Sequence, residues 1–267
     1  MNTASGQEGG FLLSSIQRMT EAVSAILNGG VHSVWLYGSV VFRDFQLGWS
    51  DVDWIVFAED EISEAQAREL LTLRQALSSA EPDNPYYRCF EGVIARLEEF
   101  RSGAFRRLVY WGTSGQRILD RYEMDAFSRY ELAKYGRSVL GADDRSIFGL
   151  PGKGELAAAV RKHYDAIRKY AVRTDESLYS CGWLLDIARC VYTLRHQDVI
   201  AKTQAGLWAL ETQLFPEDAL LRKTLEIRRD PLSFRDRGDV RLWLRELGPV
   251  IQRYADVLER ELALYPA

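Results

Sequence analysis

The spacing of hydrophobic residues changes character once along the chain, near residue 100, and this narrows the possible folds more than any other feature. Before it, short apolar runs rich in strand formers are interleaved with helical segments. Phe11, Leu12, Ile16, Met19, Val23, Ile26 and Leu27 recur at three- and four-residue spacing, which predicts a helix ended by the left-handed backbone that Gly29 and Gly30 supply. Residues 1–10 are small and polar and are expected to fray. Residues 34–37 predict a strand closed by Gly38-Ser39, 40–45 one helical turn, 46–50 a loop, and 51–57 a second strand. A helix is predicted over 63–80, a break at 82–85, and a third strand over 87–97. After the change, helical periodicity takes over at 122–139, 155–172, 177–196, 202–214, 216–228 and 239–264. Strands first and helices afterwards predict an α/β or α+β N-terminal domain with an all-α C-terminal one, an α+β chain as a whole. Residues 1–148 are expected to form a small mixed sheet with flanking helices, and 149–267 an all-α helical bundle. The dividing linker is Gly149-Leu-Pro-Gly-Lys-Gly154.

Composition excludes several alternatives. With 47% hydrophobic and 27% charged residues, the chain has enough apolar surface to build a core and is not a disordered type. No apolar run approaches the ~20 residues needed to cross a bilayer, so no membrane partner is expected. No basic stretch followed by a long apolar core opens the sequence, so no secretory leader is expected. Cys89, Cys181 and Cys190 form no CxxC pair, and His32, His163 and His196 lie far apart. Structural zinc and a disulfide framework are therefore disfavoured, and a reducing cytoplasm is the expected location. Thirty-four basic against 38 acidic residues leave a net charge of −4, which disfavours nucleic acid as a partner while leaving room for a local phosphate site.

The chemistry concentrates in Gly38-Ser39, eleven intervening residues, and Asp51-Val52-Asp53. Along a strand, side chains i and i+2 share a face, so the two carboxylates point the same way. Two like charges held together call for a cation between them. Carboxylate oxygens are hard ligands, and Mg²⁺ typically uses one or two of them and fills its sphere with water and substrate phosphates. Gly38-Ser39 can bring backbone N–H groups and a hydroxyl close to a phosphate, because glycine has no side chain to block the approach. A third acid, Glu91, lies in the third predicted strand; if that strand neighbours the second, Asp51, Asp53 and Glu91 share one rim as metal ligands.

Leu36-Tyr-Gly-Ser39 and Ser50-Asp-Val-Asp53 resemble the signature of the polymerase-beta-type nucleotidyltransferases, and in particular the bacterial aminoglycoside (streptomycin/spectinomycin) adenylyltransferases. Arg189-Cys-Val-Tyr192, Ile200-Ala-Lys202-Thr-Gln-Ala205 and Trp208-Ala209 are similar to the C-terminal half of that family in order and spacing. The resemblance implies an N-terminal nucleotidyltransferase domain followed by a helical one. It also implies transfer of AMP from ATP to a hydroxyl of a small molecule, such as an aminoglycoside antibiotic, with release of pyrophosphate. Asp51 and Asp53 would hold magnesium and Glu91 would act as catalytic base. Gly38, Ser39 and Ser50 would contact nucleotide phosphates, Lys202 would reach the triphosphate, Asp125 would contact the nucleotide, and Arg189 would be a further cation. Asp175, Glu176 and Trp183 are candidates for a cationic acceptor. The other readings are a transferase acting on a protein or RNA acceptor, and a non-catalytic nucleotide-binding or antitoxin-like module.

Three further signals read as structural. Gly149–Gly154 lacks the spacing of a phosphate loop. The arginine-rich stretch from Arg222 to Arg245, with Arg228 inside it, is interleaved with acids and reads as a solvated helix face. Tyr110-Trp111-Gly112-Thr113-Ser114-Gly115 reads as core aromatics with the capacity to stack on a ligand.

Overall fold

The computed structural model describes residues 3–112 and 115–265, with side chains described from residue 10 onward apart from Thr113 and Ser114, which lie outside the described residues. In chain order the first elements are α1 (Thr3–Ile26), β1 (Val31–Leu36), α2 (Gly38–Val41), β2 (Val52–Ala58) and α3 (Glu64–Ala80). Then come β3 (Phe90–Arg96), α4 (Leu97–Ser102), β4 (Leu108–Gly112), β5 (Gly115–Leu119), α5 (Ala126–Tyr135) and β6 (Arg137–Leu140). The remainder is helical: α6 (Lys153–Tyr170), α7 (Tyr179–His196), α8 (Lys202–Glu211), α9 (Asp218–Arg229), α10 (Pro231–Phe234), α11 (Gly238–Arg245) and α12 (Gly248–Leu262). The chain divides into two compact units. The first holds Met1–Val41, Asp51–Met124 and Tyr135–Ile147; the second holds Phe42–Ser50, Asp125–Lys134 and Phe148–Ala267.

The first unit is built on a mixed sheet with the order β5-β4-β3-β2-β1-β6 among the described residues. β1 and β2 run antiparallel, with Trp35 opposite Ile55 and Leu36 opposite Trp54. β2 and β3 run parallel, and α3 is the crossover between them that parallel pairing requires. Ser63 starts α3 with a capping box: its side chain accepts from the Gln66 backbone N–H while the Gln66 side chain accepts from the Ser63 N–H. Trp54, Ile55, Val56 and Phe57 on β2 and Phe90, Val93, Ile94 and Ala95 on β3 are all essentially inaccessible, so the two central strands are covered on both faces.

Several boundaries differ from the sequence reading. α1 begins at Thr3, within the stretch expected to fray. Buried Ile16, Met19 and Val23 anchor the helix, and adding residues to an anchored helix costs little. β4 and β5, each five residues long, lie between the predicted strand over 87–97 and the predicted helix over 122–139, where the sequence predicts no element. The helix predicted over 122–139 is α5 followed, after Gly136, by the short edge strand β6. The helix predicted over 239–264 is two, α11 and α12. Pro249 sits in the first turn of α12, where its missing N–H costs nothing. Gly248 lies so close to Val172 that a Cβ would stand 2.9 Å from the Val172 carbonyl carbon.

The second unit wraps helices around α7, whose residues from Ser180 to Leu194 are mostly buried and which packs against α6, α8, α9, α11 and α12. Its stretch 42–50 is tied in by a buried ion pair. Arg228 of α9, 2% exposed, donates from Nη2 to Asp44 Oδ2 at 2.7 Å and from Nε to Thr203 Oγ1 at 3.0 Å. The Thr203 backbone N–H also donates to Asp44 Oδ2, and the guanidinium lies over the Trp49 ring. Arg228 thus departs from the solvated face predicted for its stretch, because a carboxylate nearly 200 positions away in sequence, and invisible to local charge patterning, compensates its desolvation.

Candidate active site

The register of the parallel pair decides where the acids meet. Asp53 of β2 stands directly opposite Glu91 of β3. Partners in a ladder lie ~4.8 Å apart and point to the same face. Asp51 precedes Asp53 by two residues, at the entry to the strand. All three acids therefore mark one end of β2 and β3, and each is half-buried.

Gly38-Ser39 folds back onto this end. The Tyr37 N–H donates to the Asp53 carbonyl and the Ser39 hydroxyl donates to the Asp51 carbonyl, each at 3.1 Å. Gly38 has φ +65° and faces the Asp53 carboxylate so closely that a Cβ would stand 2.8 Å from Asp53 Cγ. Glycine is required here twice over, by backbone conformation and by the carboxylate lying against it. Gly92, next to Glu91, serves packing. Its φ is +149°, and a Cβ would stand 2.9 Å from the Trp54 carbonyl carbon. With no side chain at 92, the indoles of its two ladder neighbours, Trp54 and Trp111, meet with ring centroids 5.3 Å apart. This clamp fixes the height of β3 and hence of Glu91.

Two residues that sequence reasoning did not assign to the site belong to it electrostatically. The Tyr110 hydroxyl donates to Glu91 Oε1 at 3.2 Å. Burial first, and then the Glu91 charge, raise the Tyr110 phenol above its ordinary value. Arg74 of α3 donates to the Phe90 carbonyl at 2.5 Å and lies over the Trp111 ring. Burial lowers its guanidinium, while Glu91 and Asp51 pull in the opposite direction. The Cys89 thiol is pushed up to about 11, chiefly by burial and then by Asp51. No local pattern marks Arg74, one of two arginines on an amphipathic helix. Tyr110 had a signal, since 108–112 is a run of strand formers beside a glycine.

The candidate residues of the second unit hold positions of their own. The Ser50 hydroxyl accepts from the Gln46 N–H at 3.0 Å, closing the loop before Asp51. Asp125 accepts from the Ser128 N–H at 3.0 Å and from its hydroxyl, an N-terminal cap on α5. Arg189 pairs with Glu131 and lies over the Phe127 ring. Lys202, at the start of α8, pairs with Asp186 at 2.8 Å. Asp175, in the turn before α7, accepts from the Ser177 N–H and the Ser180 hydroxyl, and Glu176 pairs with Arg245.

Among the described residues, no group of three or more His, Cys, Asp or Glu side chains is gathered so as to hold a metal ion by itself. The donor set at Asp51 and Asp53 is all-oxygen, and Mg²⁺ does not require a complete protein cage, since one or two carboxylates plus substrate oxygens satisfy it. No helix among the described residues is long and apolar enough to cross a membrane.

Fold and site together define an α+β chain with an acidic strand end closed by a glycine-serine turn. No protein-family model matches the sequence, and no curated protein matches it either. Among solved structures the chain is similar to the crystal structure of spectinomycin adenyltransferase AAD(9) from Enterococcus faecialis with ATP and spectinomycin. The identity is 14% and the TM-score 0.60, over 92% of this chain and 99% of that one. The two share a fold.

Proposed function

We propose that the chain is a Mg²⁺-dependent nucleotidyltransferase that moves AMP from ATP to a hydroxyl of a small cationic molecule, an aminoglycoside antibiotic of the spectinomycin kind, in the cytoplasm. The observation that carries this reading is the packing of Gly38 against the Asp53 carboxylate, with Asp53 in register with Glu91. A carboxylate pressed onto a side-chain-free turn is what a phosphate and its counter-ion need in order to approach the backbone. The shared fold with a protein solved with ATP and spectinomycin supports both the nucleotide and the small acceptor.

Asp51 and Asp53 would hold the magnesium. A divalent cation there supplies charge neutralisation on the phosphates and acidifies a bound hydroxyl. Glu91 would accept the proton of the attacking hydroxyl. The Gly38 backbone and the hydroxyls of Ser39 and Ser50 would donate to phosphate oxygens. Lys202 and Arg189 would supply positive charge to the triphosphate, and Asp125 would contact the nucleotide. A polycationic acceptor matches the surplus of acids, since charge complementarity steers and orients such ligands.

The test is pyrophosphate release from ATP and Mg²⁺ across spectinomycin, streptomycin and related antibiotics, with Asp53→Ala as control. Release that depends on one acceptor and vanishes in the variant is the expected result. Unchanged release in Asp53→Ala, or none with any acceptor, overturns the reading.

A further inference from the structure

We propose that Tyr110 is the positioning residue for Glu91, its hydroxyl holding one carboxylate oxygen so that the other is presented to the acceptor. The inference deepens the transferase reading and rests on Glu91 being the base.

The geometry starts from the ladder. Val93 of β3 stands opposite Tyr110 of β4, and Gly92 stands opposite Trp111. Glu91, Val93 and Tyr110 therefore share a face, while the Trp111 indole lies on the other. Glu91 is two residues from Val93, so Tyr110 must reach it diagonally, along the strand and over Gly112. That path is open only because residue 112 has no side chain. A Cβ there would stand 2.5 Å from Tyr110 Cε1 and 2.7 Å from the phenolic oxygen. Gly112 is not among the residues with positive φ, so its backbone conformation does not call for glycine; the overlying tyrosine ring does. The ring also neighbours that of Tyr122, with centroids 6.4 Å apart. Ring, glycine and hydroxyl thus act together to place one donor on Glu91 Oε1 at 3.2 Å. A glutamate has three rotatable side-chain torsions, and a base that must meet a hydroxyl at hydrogen-bond distance gains from losing that freedom before substrate arrives.

Tyr110→Phe keeps the ring packing and removes only the donor. With ATP, Mg²⁺ and spectinomycin, kcat for pyrophosphate release is expected to fall about 10- to 100-fold, with KM for both substrates unchanged. In a Glu91→Gln background the same change is expected to cost less than about twofold, because no base remains to be positioned. A packing role would give equal losses in both backgrounds, and that result overturns the proposal. So does wild-type kcat in Tyr110→Phe when Glu91→Gln is inactive, an outcome that leaves the transferase reading standing. Wild-type turnover in Glu91→Gln overturns the assignment of Glu91 as the base and this inference with it, while acceptor-dependent release leaves the transferase reading standing. Urea unfolding of the native protein, Tyr110→Phe, Glu91→Ala and the double variant needs no turnover. Coupled losses at 110 and 91 support the hydrogen bond, and strictly additive losses overturn it.

Discussion

Replacing Gly38 by alanine separates what the fold needs from what the site needs. The residue has φ +65°, and a β-carbon would stand 2.8 Å from Asp53 Cγ. The left-handed backbone costs a non-glycine residue about 1–2 kcal/mol. The clash falls on the movable end of a side chain, so it is relieved by turning the Asp53 carboxylate off its preferred rotamer, at about 1 kcal/mol. The total of about 2–3 kcal/mol would lower the melting temperature by about 4–12 °C for a chain of this size. A carboxylate displaced by about 1 Å, however, is expected to reduce turnover by about 100-fold or more. Gly29→Ala is the matched control, with φ +80° and nothing within 4 Å of the added carbon. It bears a similar backbone cost and no clash, so it should melt somewhat low and turn over normally. The assays are thermal unfolding and pyrophosphate release on both variants, with Mn²⁺ binding as a reading independent of turnover. Normal turnover and Mn²⁺ affinity in Gly38→Ala would refute the claim that this glycine exists to make room for Asp53.

Gly92→Ala meets backbone, the Trp54 carbonyl, and has no flexible group to push aside; a loss above about 3 kcal/mol is expected, read as insoluble expression or a collapsed urea midpoint. Arg228→Met strands the buried Asp44 carboxylate and is expected to cost about 3–5 kcal/mol in urea unfolding, with part of the loss recovered by adding Asp44→Asn. Burial pushes the Cys181 thiol from 9.0 up to about 12 and raises Cys190 as well, so neither should react with iodoacetamide at pH 8 in the native protein. Because folding raises the Cys181 value, the folded state holds its proton more tightly. Stability from this group is complete below about pH 9 and declines as pH rises towards about 12, measurable as a falling urea midpoint.

What could be read from the sequence was what short-range geometry dictates. Gly38-Ser39 and Asp51-Val-Asp53 are legible because a glycine turn and an i, i+2 acid pair carry their meaning within a few residues. β2 is legible as a mostly apolar run, and β3 through the alternation of Cys89, Glu91 and Val93 with Phe90. β4, β5 and β6 were not: the aromatics of β4 read equally well as core packing, β5 holds only two apolar residues, and β6 begins inside a helical periodicity that runs from 122 to 139. Tyr110 reaches Glu91 on a diagonal between strands, and the pairing of β4 with β3 must be known before that diagonal exists. Arg228 looked like any other member of a mixed-charge helix, and only its distant partner Asp44 explains why it is buried.

That pairing has a consequence for how the chain is made. Asp44 and Arg228 are 184 positions apart. At a synthesis rate of about 5–20 residues per second, the aspartate leaves the ribosome about 10–40 s before its arginine exists. Throughout that interval the nine residues Phe42–Ser50, which join the glycine-serine turn to the acid pair, lack the helix that anchors them. The strand end bearing the acids can form early, while the anchoring of the link between the turn and the acid pair waits for the last third of the polypeptide.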